Sequence, residues 1–129
     1  MFDSIHEECG VFGIRAPKRC DVAASAYYAL YALQHRGQES CGIAVSDRGV
    51  ISYSKDLGLV NEVFNDKIIT DLVGEIAISH VRYSTAKQKS RENAQPIVMR
   101  YAKGNFAIAF NGSFVSSLAH KSVNFAAYD

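Results

Sequence analysis

The sequence predicts an α+β protein built on antiparallel sheets. Short apolar runs are joined by turn signals at the spacing of hairpins, and helix-forming stretches stand apart from those hairpins. Alternating βα units and a glycine-rich phosphate loop are both absent, which excludes a doubly wound nucleotide-binding design. At 129 residues, with 48% hydrophobic and 21% charged side chains, the chain can bury a core of its own.

Taken in order, CGVFGIRA (9–16) reads as a strand. Asp21 then has the chemistry of an N-cap for VAASAYYALYALQHR, a helix apolar nearly all round that closes on Gly37. CGIAVS and VISYSK, joined at Asp47-Arg48-Gly49, form a hairpin. A helical stretch follows from Leu59 to Leu72, breaks near Asn65-Asp66 and ends on Gly74. EIAISHVRYS is a strand and TAKQKSRENAQP a polar loop. IVMRYA and FAIAFNG make a second hairpin about a Gly104-Asn105 turn.

The formal net charge is +1 and the basic residues are dispersed, so there is no footprint for nucleic acid or anionic lipid. No apolar run has the length of a membrane span, and the acidic start MFDSIHEE lacks a signal core; the expected location is the cytoplasm. Cys9, Cys20 and Cys41 are odd in number and contain no CxxC pair, and the four histidines are scattered. The expectation is neither disulfides nor a metal, and no cofactor held by this chain.

Cys9 has two readings. It is a small buried residue opening a strand, or it is a nucleophile unmasked when the Glu8–Cys9 bond is cut. Cutting would put an α-amine, with an ordinary pKa of about 7.7–8.0, on the residue that carries a thiol of about 8.5. The amine is then a base for its own side chain, whereas an amide nitrogen is none. Cys41, at the start of an apolar strand, reads as core packing, and Cys20, beside Lys18 and Arg19, as an exposed loop residue.

Five segments occur together: ECGVFGI, LQHRGQESCGIAV (33–45), SHVRYSTA (79–86), NAQPI (93–97) and FNGS (110–113). In this order they resemble the glutaminase domain of the class II glutamine amidotransferases. They look most like the branch that delivers ammonia to phosphoribosyl pyrophosphate in the first committed step of purine synthesis. The resemblance implies an N-terminal-nucleophile hydrolase fold, an αββα sandwich of antiparallel sheets. It also implies a removable leader at 1–8, a glutaminase domain at 9–115 and a divergent tail at 116–129.

By the same resemblance Cys9 is the nucleophile. Asn111, through its side-chain amide, and Gly112, through its backbone N–H, form the oxyanion hole. Arg82 clamps the glutamine α-carboxylate with its planar fork, and His80 and Thr85 shape the same pocket wall. Without the resemblance, Asn111-Gly112 would read as a hairpin turn and Arg82 as a solvated strand end. His35, Arg36 and Gly37 also match a segment of the family; read locally they cap a helix, and no catalytic role is assigned to them.

The chain also departs from the family pattern. Phe110 and Ser113 flank Asn-Gly where His and Asn are usual, and Lys87 stands where Gly is usual. After Glu92 the only acidic side chain is Asp129, so the carboxylate that holds the substrate amine is missing. The expectation is a domain incomplete at its C-terminus, lacking the phosphoribosyl-transfer domain unless another chain supplies it. Two functions follow: a glutaminase, or a non-catalytic relic acting at most as an interaction domain. An unpaired substrate ammonium predicts an inactive isolated chain.

Overall fold

The computed structural model describes residues 9–83 and 90–111. The leader at 1–8, Thr85, Lys87, Gly112 and everything after Gly112, including the tail at 116–129, lie outside them.

Strand β1 (Gly10–Cys20) leads into helix α1 (Val22–Ala32), a 3-10 turn at Gln34–Arg36, then β2 (Ser40–Asp47) and β3 (Val50–Leu57). Two short helices, α2 (Val60–Val63) and α3 (Asp66–Asp71), precede β4 (Gly74–Arg82). A second 3-10 turn (Arg91–Asn93) leads to β5 (Ile97–Tyr101) and β6 (Gly104–Ile108). The first four strands form one antiparallel sheet in the order β1-β4-β2-β3; β5 and β6 form a separate hairpin.

Local chemistry explains most boundaries. The Asp21 carboxylate accepts from the Ala24 N–H and starts α1, and the Asn65 side chain does the same for Ile68 at the start of α3. Arg48 and Gly49 both take positive φ, +50° and +85°, the geometry a two-residue hairpin loop needs. In β1 the register jumps from Arg15↔Ile76 to Cys20↔Gly74, and Pro17, which has no N–H to donate, falls inside the irregular stretch.

Register sorts the sheet into two faces. Phe12, Ile14, Ile43, Val45, Ala77 and Val81 face α1 and pack with Val22, Ala26, Leu30, Val60 and Phe64 in the core. Gly42, Ala44, Ile76, Ile78 and His80 line the other face. There, Ala44, Ile76 and Ile78 border a cavity of about 130 Å³ closed partly by Ala107 of β6. The order is therefore helices, sheet, hairpin: three layers of the expected αββα arrangement among the described residues.

Several local expectations need correction. Helix α1 stops at Ala32, and Gly37 is extended (φ −163°) and caps no left-handed turn. It is glycine because a Cβ would stand 2.6 Å from the Arg82 carbonyl carbon. Though apolar nearly all round, α1 buries only the side that carries Val22, Ala23, Ala26 and Leu30, and Tyr28 and Tyr31 are 71% and 61% exposed. Gly74 opens β4 and ends no helix; a Cβ there would overlap the Ser46 carbonyl oxygen. Ala102 and Lys103 make the second hairpin loop, with Gly104 (φ +144°) already paired to Tyr101. Cys20 is exposed, as expected, but it ends a strand.

Candidate active site

Cys9 stands directly ahead of β1, 5% exposed, with φ at +52°. A non-glycine residue there is strained by roughly 1–2 kcal/mol, so its surroundings must hold it. Two contacts do so. Arg36 Nε donates to the Cys9 carbonyl at 2.8 Å, and Cys9 Sγ donates to the Tyr83 carbonyl at 3.7 Å. Arg36 is carried by the turn after α1, where Gln34 Nε2 donates to the Gly37 carbonyl at 2.6 Å and Gln34 Oε1 accepts from the Val60 N–H at 2.7 Å.

Arg82 lies at the end of β4, next to Tyr83. Its Nε donates to Glu39 Oε2 at 3.1 Å and its Nη1 to the Asn93 carbonyl at 2.8 Å. Arg82 is 21% and Glu39 8% side-chain exposed, and the Glu39 N–H also donates to the Arg82 carbonyl. The guanidinium is thus no solvated strand end; it is half committed to the protein, with Nη2 bearing no partner among the described residues.

His80, two residues earlier on the same sheet face, is fully buried. Its Nε2 donates to the Phe110 carbonyl at 3.0 Å, which fixes Nδ1 as the unprotonated nitrogen; Nδ1 has no partner among the described residues. Burial pushes the imidazole down to about 4, a shift the Phe110 carbonyl opposes and the Arg82 charge reinforces. His80 is thus enclosed, and its contact toward Asn111 runs through the Phe110 carbonyl. Asn111 itself is exposed at the end of that segment.

Gln95, 2% exposed, accepts from the Phe110 N–H at 2.8 Å through Oε1. Its own backbone is pinned on both sides by Lys55 Nζ, which donates to the Ala94 carbonyl at 2.7 Å and the Pro96 carbonyl at 3.0 Å. Burial, with the Arg91 charge, lowers the Lys55 pKa. Gly42 permits the approach, because a Cβ there would overlap the Gln95 carbonyl oxygen.

The structure therefore brings Cys9 and Arg82 together at one end of the β1–β4 pair, with His80 and the Phe110-Asn111 segment beside them; Thr85 and Gly112 lie outside the described residues. Arg36, Glu39, Lys55 and Gln95 gain supporting roles that no local pattern assigned. Gln95 falls in a stretch that reads as a polar loop, so nothing local signalled that its side chain is buried. Cys41, by contrast, is fully buried and donates to the Gly58 carbonyl; burial, then the Asp56 and Glu62 charges, push its thiol up to about 12. It is no rival nucleophile. Among the described residues no group of three or more His, Cys, Asp or Glu could hold a metal, and no helix is long and apolar enough to cross a membrane.

No family model matches the chain. Known proteins do. The chain is 52% identical over 109 residues to an amidophosphoribosyltransferase of Methanocaldococcus jannaschii, covering 84% of this chain and 23% of that protein. It is 49% identical over 118 residues to the amidophosphoribosyltransferase of Mycobacterium tuberculosis, covering 91% and 22%. Among solved structures, the Bacillus subtilis glutamine phosphoribosylpyrophosphate amidotransferase complexed with ADP and GMP superimposes with a TM-score of 0.65 at 39% identity, over 77% of this chain and 21% of that one. A structure described as the allosteric regulatory enzyme of purine biosynthesis gives 0.69 at 40% identity, over 75% and 21%. The chain thus spans about a fifth of the length of the relatives it matches.

Proposed function

We propose, from the premise that this chain is homologous to the amidophosphoribosyltransferases and shares the fold of their N-terminal-nucleophile amidotransferase domain, that it is a glutaminase supplying ammonia to phosphoribosyl pyrophosphate. The acceptor would bind in a separate phosphoribosyltransferase domain. The observation that carries the reading is the placing of Cys9: a buried thiol in a strained backbone, 3.7 Å from the carbonyl that follows Arg82.

In this reading the Glu8–Cys9 bond is cut first, which relieves the φ constraint and leaves a basic amine on Cys9. The amine takes the thiol proton, and Sγ attacks the side-chain amide carbon of glutamine. Charge develops on the former carbonyl oxygen, where the Asn111 amide and the Gly112 N–H donate. The proton passes from the amine to the departing nitrogen, ammonia leaves and a thioester remains. Water then attacks the thioester, giving glutamate and returning Sγ to its thiol. Arg82 meets the substrate α-carboxylate through Nη2, while Glu39 and Asn93 keep the fork aimed.

The test is incubation of the full chain with a diazoketone analogue of glutamine, followed by intact mass and peptide mapping. We expect loss of residues 1–8 and a single adduct on Cys9. Cys9→Ser should reduce glutamate formation to background. An unlabelled Cys9, or hydrolysis unchanged in Cys9→Ser, favours the second reading, a non-catalytic homologue. One observation supports that alternative: the Nε and Nη1 groups of Arg82 are already engaged by protein oxygens.

A further inference from the structure

We infer that His80 and Gln95 are positioning residues that together set the side-chain amide of Asn111, the oxyanion donor of the glutaminase reading on which this inference rests. They grip one residue from opposite polar ends. Gln95 Oε1 takes the Phe110 N–H at 2.8 Å and His80 Nε2–H holds the Phe110 carbonyl at 3.0 Å. With both polar groups of Phe110 tied, the peptide plane leading into Asn111 cannot rotate, and the origin of the Asn111 side chain is fixed although that residue is itself exposed.

Their burial argues against simple packing. His80 and Gln95 are 0% and 2% exposed; His80 shares its sheet face with Gly42, Ala44, Ile76 and Ile78, and the Gln95 backbone lies against that face at Gly42. An apolar side chain at either position would take the hydrogen-bond partner from a Phe110 backbone group, and His80 is kept although its Nδ1 has no partner among the described residues. The grip is also braced from behind. Lys55 ties the carbonyls on both sides of Gln95, Gly42 leaves room for the Gln95 backbone, and Arg82 holds the Asn93 carbonyl. Clamp and oxyanion donor therefore share one frame running Arg82–Asn93–Gln95–Phe110–Asn111.

An oxyanion donor must sit within a few tenths of an ångström of its acceptor, and losing one costs roughly 10²–10³ in kcat. A backbone freed at Phe110 misplaces the Asn111 amide without deleting it, so the loss should be smaller, about 10–100-fold. We expect Gln95→Leu and His80→Leu to lower kcat for glutamine hydrolysis by that factor, with KM changed less than about threefold. His80→Gln, whose amide N–H can still donate to the Phe110 carbonyl, should recover most of the loss. Urea midpoints measured in parallel identify a variant that has merely failed to fold.

A second readout needs no turnover. In the folded full chain, the Phe110 and Asn111 backbone N–H resonances should lie away from their random-coil positions and move toward them in His80→Leu and Gln95→Leu. His80→Gln should keep them in place. Unlabelled Cys9 in the parent chain would sink the glutaminase reading alone, with the positioning claim still decided by these resonances. Resonances or kcat unchanged in both leucine variants would overturn the positioning claim and leave that reading standing.

Discussion

His80 shows how burial selects one protonation state for one task. The folded chain holds its pKa near 4, below the ordinary 6.5, so the unfolded chain binds the extra proton first as pH falls. Its contribution to stability is therefore complete above about pH 6.5 and drains away towards pH 4, a difference on the order of 3 kcal/mol. Urea titrations at pH 7 and pH 4.5 should show this loss in the parent chain and a smaller one in His80→Gln; equal losses would mean that His80 titrates normally. The thiols divide by the same logic. Cys20 is exposed, whereas Cys41 is buried with a thiol near 12, so brief alkylation at pH 8 should modify Cys20 readily and spare Cys41 until the chain unfolds.

At the scale of elements, glycines separate what neighbours in sequence dictate from what the fold dictates. Arg48-Gly49 was legible as a hairpin loop because its positive φ is a local requirement. Gly37 and Gly74 looked like helix caps for the same local reason, but their cause is the close approach of Arg82 and Ser46, residues far away in the chain. Gly42→Ala and Gly74→Ala should each destabilise the protein by more than about 2 kcal/mol, because backbone rather than a flexible side chain stands in the way. Gly13→Ala is the control. Its nearest atoms are 3.9 Å off, so alanine there should be neutral or stabilise by up to about 1 kcal/mol. Thermal melts of the three variants decide the matter; a stable Gly42→Ala would show that the Gln95 segment can move aside.

For the molecule as a whole, the sheet order puts β4 between β1 and β2, and β4 carries both His80 and Arg82. Amide exchange should accordingly be slowest along Ala77–Val81 and faster in β3 and in the β5–β6 hairpin; protection peaking in β3 would contradict the central position of β4. Only the family resemblance pointed to Cys9 and Arg82 together, since local chemistry read one as core and the other as a solvated strand end, whereas strand patterning made their strands legible. Their support was not. Glu39 on Arg82, Lys55 on Ala94 and Gln95 on Phe110 join residues 43, 39 and 15 positions apart, and no window of sequence reveals such couplings.

The bond from Cys9 Sγ to the Tyr83 carbonyl spans 74 positions of chain. A ribosome adding about 5–20 residues per second needs roughly 4–15 s to make the second partner after the first. Throughout that interval β1 has no strand to pair with, and its sulfur has nothing to lean on. Assembly of the Cys9 end must therefore wait for translation to deliver β4, so the pairing that shelters this thiol comes late in the making of the sheet.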